Sequence, residues 1–159
     1  MNTKPILIVA GEPYSIFSEI FFKALKSKKY RRPIVLIASQ DLFVAQMKSL
    51  NFTFKINTVD SSKLNLEGLK KNYINLINVN FESKRSFNKI TNKSNSYIEK
   101  SFHIALKLLK TKKFAGLING PISKKNFLGE KFLGITEYLA SKTIKNENIA
   151  MLIYHKDLS

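Results

Sequence analysis

Four short, largely apolar runs punctuate this chain: PILIVA at 5–10, IVLIAS at 34–39, INLINV at 74–79, which Asn75 and Asn78 interrupt, and FAGLI at 114–118. Runs of this length, rich in β-branched residues, are the mark of strands buried on both faces. The segments between them follow the three-to-four spacing of amphipathic helices. Ile16, Phe17, Ile20, Phe21, Ala24 and Leu25 share one face, and Ser15 is placed to cap their helix. Asp41 is the expected cap of a second helix carrying Phe43, Val44, Met47 and Leu50. A third helix is expected from Ser96 to Lys110 and a fourth from Thr136 to Lys142. FTFKI, 52–56, alternates like a strand near a sheet edge, and NIAMLIY, 148–154, reads as a last strand. Residues 57–72 read as irregular, and residues 80–95 as an exposed loop. Strands alternating with helices predict an α/β fold, a mostly parallel sheet with helices on both faces, in a single unit spanning residues 1–159.

The bulk chemistry excludes several classes. With no cysteine, the chain has no disulfide framework, thiolate metal site or thiol nucleophile. The apolar start at 5–10 stops at Gly11-Glu12-Pro13, too early for a secretory leader. No apolar run approaches a membrane span, so the default expectation is a cytoplasmic protein with no membrane partner. The net charge of +16 raises the question of a polyanion partner. Its cations are nearly all Lys, with Arg only at 31, 32 and 85, whereas base and phosphate readers favour the bidentate Arg fork. That argues against nucleic acid. A small basic α/β domain that binds nucleic acid or another polyanion stays as the alternative reading.

In parallel sheets, ligands bind beyond the carboxyl ends of the strands. Three loops therefore carry the functional interest: GEPYS at 11–15, NGPISK at 119–124 and GITE at 134–137. The first lacks the Gly-Lys-Ser/Thr ending of a phosphate loop and the three glycines of a dinucleotide fingerprint. In the second, Gly120 lets a ligand approach the backbone, Ser123 offers a hydroxyl, and Lys124 offers a point charge suited to phosphate. In the third, Thr136 reads either as a helix N-cap or as a hydroxyl for substrate. His103 reads as a partly buried helix residue, and His155 lies beside Asp157. Two histidines 52 positions apart do not make a transition-metal site, and no metal ligand is assigned in this chain.

VAGEPYSIFSEI, LINGPISKKNF, FLGITEYLASKT and NIAMLIYHKDLS occur in this order along the chain. Together they resemble the N-terminal half of the 4-hydroxythreonine-4-phosphate dehydrogenases of pyridoxal 5'-phosphate (vitamin B6) biosynthesis. The resemblance implies a fold like that of the isocitrate and isopropylmalate dehydrogenases, here incomplete. It implies NAD(P)-dependent oxidation of 4-phosphooxy-threonine, followed by decarboxylation to 3-amino-2-oxopropyl phosphate. It further implies a divalent metal held by histidines, and a homodimer with its active site near the subunit boundary. By the same resemblance Thr136 contacts substrate and the match of GPISK places Lys124 in a loop bordering the pocket; its role toward the phosphate is inferred from its charge. Ile135 stands where the family has a substrate-contacting His in a Gly-His-Thr-Glu context. The metal ligands and nucleotide-binding residues are expected in the part of the family's chain that has no counterpart here. The chain is therefore expected to be inactive alone.

Overall fold

The computed structural model describes residues 4–27, 30, 32–143 and 152. Five strands form one parallel sheet: β1 (Ile6–Val9), β2 (Ile34–Ala38), β3 (Ile56–Thr58), β4 (Ile74–Asn78) and β5 (Gly116–Asn119). Their order across the sheet is β3-β4-β2-β1-β5. β2 is the central strand, and β1 lies between it and β5, with Ile8 paired to Leu36 on one side and to Ile118 on the other. The α/β class and the parallel sheet expected from the apolar runs are both present.

The unbroken apolar character of β1 and β2 follows from burial on two sides. Leu7, Val9, Val35 and Ile37 face one layer with Ile98, Phe102 and Ala105 of α3 (Asn95–Lys110). Ile8, Ala10, Leu36 and Ala38 face the other with Phe21 and Phe22 of α1 (Phe17–Ser27) and Phe43 of α2 (Gln40–Ser49). On that second face the aromatic rings pack on one another. Phe22 lies 4.8 Å from Phe43 and 5.8 Å from Phe54, centroid to centroid, a spacing at which rings add to area burial.

Ser15 acts at the start of α1 as expected, its Oγ accepting from Phe17 N at 3.3 Å. Three boundaries differ from expectation. The cap position of α2 is Ser39, not Asp41, which lies in the first turn. There the free Gln40 N–H donates to Asn78 Oδ1 at the end of β4, a partner invisible in local sequence. FTFKI contributes only its last residue to β3; Phe52 and Phe54 turn instead onto the Phe22 cluster, because aromatic burial there outweighs extending an edge strand. The segment 80–95 is not simply an exposed loop. Its Phe81 and Ser86 carbonyls accept from Ser39 Oγ and Gln46 Nε2, and Ser94 is buried. Of the strand expected over 148–154 only Leu152 is described, exposed and in no strand; the rest of it, with His155 and Asp157, lies outside the described residues.

Candidate functional site

The carboxyl ends of β1 and β5 lie side by side, and their loops are fitted to each other through the backbone. Glu12 N donates to Pro121 O at 2.9 Å, and Gly120 N to Val9 O at 2.7 Å. Gly11 has φ +77°, and a Cβ there would stand 2.5 Å from Pro121 O. A Cβ on Gly120 would stand 2.1 Å from Ala10 O. Only two glycines let these backbones approach so closely.

After Pro121 the chain makes a wide helical turn, Lys124–Leu128. Ser123 caps it, its Oγ accepting from Asn126 N and from Asn126 Nδ2. The hydroxyl offered by Ser123 is thus committed to holding the turn. Lys124 remains exposed. The chain returns through α4 (Ile135–Thr143). Tyr138 anchors this return, buried with its ring centroid 5.0 Å from Phe127, 5.4 Å from Phe132 and 5.7 Å from Phe102 of α3. That aromatic contact brings the Gly134–Glu137 segment back to the β5 loop.

The result is an open cavity of ≈ 310 Å³ at the rim of the sheet, lined by Asn119, Gly120, Pro121, Ile122, Lys124, Leu128 and Ile135. Lys124 and Ile135 share it. Thr136 is half-buried one residue further on. It lies within α4 and is not its N-cap, since the helix begins at Ile135 and Gly134 O accepts from Tyr138 N. The second and third of the loops that the sequence singled out therefore share this cavity, while the first meets the second through the Glu12 N to Pro121 O hydrogen bond and lines no part of it. Asn119, Ile122 and Leu128 also line the cavity. The sequence signal for the latter two is an apolar residue set in an otherwise polar loop.

Behind the rim lies a buried polar cluster. Glu12 is 2% exposed; its Oε1 accepts from Ser94 Oγ at 2.6 Å. Burial pushes its carboxyl above the ordinary carboxylate value, partly opposed by the Ser94 hydrogen bond. Tyr97 accepts from Ser39 N at 3.2 Å, and burial pushes its hydroxyl up to about 12. Glu12 and Ser94 stand 82 residues apart, so no local pattern announced the pair.

His103 is exposed, not partly buried. It lines a cavity of ≈ 660 Å³ along α3 with Glu99, Lys107 and Tyr138 among others. That cavity shares no lining residue with the rim. Among the described residues no group of three or more His, Cys, Asp or Glu could hold a metal ion. These residues therefore do not suit a divalent metal site.

A parallel α/β domain with its principal loops joined at the carboxyl rim is the class that this geometry defines. The family model described as pyridoxal phosphate biosynthetic protein PdxA matches residues 29–159, and the chain belongs to that family. Comparison with curated proteins gives no match. Among solved structures, a 4-hydroxythreonine-4-phosphate dehydrogenase from Burkholderia phymatum superposes with a TM-score of 0.72 at 17% identity, over 90% of this chain and 45% of that one. A putative 4-hydroxythreonine-4-phosphate dehydrogenase from Salmonella typhimurium gives 0.72 at 18%, over 87% and 44%. The enzyme of that name from Klebsiella pneumoniae gives 0.71 at 20%, over 87% and 44%. At these identities the likeness establishes the fold, and the chain spans less than half the length of each structure.

Proposed function

We propose that this chain is the N-terminal portion of a cytoplasmic, homodimeric, NAD(P)-dependent dehydrogenase. Its substrate is a phosphorylated hydroxy-amino acid, 4-phosphooxy-threonine, oxidised and decarboxylated on the way to pyridoxal 5'-phosphate. The observation that carries the reading is the rim cavity between the β5 loop and α4, with Lys124 on its wall, in a chain of this family. Lys124 supplies positive charge for the phosphate. The Thr136 hydroxyl stands beside the same cavity as a hydrogen-bonding group for the substrate. Ile135 neither titrates nor hydrogen-bonds, so the wall it forms holds substrate by contact alone.

The single α/β unit is read as part of a larger sheet. Among the described residues β5 is an edge strand, and its Ile118 is 52% exposed on the side where Ile8 and Leu36 are buried. An apolar residue on a parallel edge is consistent with further chain packing there. Hydride transfer needs a nicotinamide held against the substrate, and the described residues present no metal-ligand cluster. No catalytic step is therefore assigned to this chain's own side chains.

The test has two arms. The purified chain is expected to show no NAD(P)-dependent oxidation of 4-phosphooxy-threonine above background. Robust turnover would overturn the claim that it is a portion of the enzyme. Isothermal titration with the same compound is expected to show binding that Lys124→Ala weakens. Equal affinity in both proteins would remove the phosphate role of Lys124.

The charge of +16 favours one other reading, a basic domain for a polyanion. Binding to duplex DNA that falls steeply with salt and ignores Thr136→Ala would favour that reading over the enzyme.

A further inference from the structure

Three polar groups converge beneath the Gly11–Ser15 loop. Glu12 Oε2 and Ser18 Oγ are buried without a hydrogen-bond partner from the protein, in residues that are each 2% exposed. Both residues line a small space of ≈ 20 Å³, together with Tyr97, Ser39 and Gln46. Buried polar atoms left unpaired destabilise a fold, so two in one small space call for a shared partner. Spaces that stay dry are apolar, whereas one water needs about 10–15 Å³ and two to four polar contacts.

We propose that Glu12, Ser18 and Tyr97 build a binding site for one internal water molecule, and that this hydrated cluster positions the Gly11–Ser15 loop against Gly120 and Pro121. A single water can meet all three groups. Tyr97 already accepts from Ser39 N and retains its own proton to donate. Ser18 Oγ accepts. Glu12 Oε1 is taken by Ser94 Oγ, so Oε2 is the oxygen that meets the water, as an acceptor when charged and as a donor when protonated. A water can answer both states. An inorganic anion would meet a carboxyl, and a larger ligand exceeds the space.

The positioning follows from where the members sit. Ser18 belongs to α1, Tyr97 to α3, and Ser94 just precedes α3. Glu12 is the residue whose backbone N–H reaches Pro121 O. The water thus joins two helices on opposite faces of the sheet through the loop that supports the β5 turn. The inference rests on this geometry and not on the identity of any substrate.

A crystal structure of the full chain at about 1.5 Å is expected to show a density peak within about 3 Å of both Glu12 Oε2 and Ser18 Oγ. No peak, or a Glu12 carboxyl turned out to solvent, would overturn the site. Positioning is read separately by hydrogen exchange at the Glu12 amide. Glu12→Ala is expected to speed that exchange about tenfold. Glu12→Gln, which keeps an acceptor and gains a donor, is expected to restore protection. Ser18→Ala, which leaves the water two contacts, is expected to give a smaller rise. If Glu12→Gln exchanges as fast as Glu12→Ala, or neither differs from wild type, Glu12 does not position the loop.

Discussion

The two halves of the rim are built on opposite terms. The half formed by Gly11–Ser15 against Gly120 and Pro121 is closed. Its backbones lie within van der Waals contact, its carboxyl is buried, and two glycines make the fit. The half formed by Ile122, Lys124, Leu128 and Ile135 encloses open space and carries an exposed cation. The contrast separates support from contact. Tight backbone packing fixes where the β5 loop leaves the sheet, and the side chains beyond it are free to meet a ligand. A rigid base beneath an open wall is what precise placement of a bound group requires.

The sharpest way to break the contrast is Gly120→Ala. Its Cβ would overlap backbone atoms of Ala10, which have no flexible end to move. A loss of about 4 kcal/mol or more is expected in urea unfolding. A loss under 1 kcal/mol would mean that the closed half is not closed. Gly11→Ala should follow at about 2–4 kcal/mol, combining the left-handed φ with the overlap on Pro121 O.

A pH titration sharpens the same half. The folded-state pKa of Glu12 lies above its unfolded value because burial disfavours the charge. Its contribution is therefore fully present below the unfolded pKa and is lost as pH rises through the raised folded one. Thermal melts compared with Glu12→Gln should show the wild type losing ground to the variant as pH rises through that window. Parallel curves would show that Glu12 titrates as an ordinary carboxyl.

The smallest expected effect lies in the open half. Lys124→Ala should change stability by no more than about 0.5 kcal/mol, since the side chain is exposed. A large destabilisation would make Lys124 a structural residue and dissolve the contrast.

The apolar runs specified the class of fold, because a strand covered on both faces is apolar wherever its side chains find no hydrogen-bond partner. Val35, Leu36, Ile37 and Leu76 meet that condition with no exposure at all. Asn75 of β4, buried but hydrogen-bonded to Asn57, Lys70 and Ile34, is the exception. Helices α1 and α3 were equally legible, since each repeats its apolar residues once per turn. β3 was misread because Phe52 and Phe54 answer to Phe22, some thirty residues away. The candidate loops were marked by glycine and proline, and turn chemistry is local. Their meeting was not local. It rests on Glu12 N reaching Pro121 O and on Tyr138 closing over Phe127.

The sequence by itself determined the alternation of strands and helices and the loops marked by glycine and proline, though not every boundary, because periodicity and backbone freedom are properties of neighbouring residues. The tertiary structure alone decided the strand order, the burial of Glu12 against Ser94 and the pairing of Lys124 with Ile135 on one cavity. Those outcomes depend on contacts between residues distant in the chain, and such contacts exist only once the sheet has chosen which edges to join.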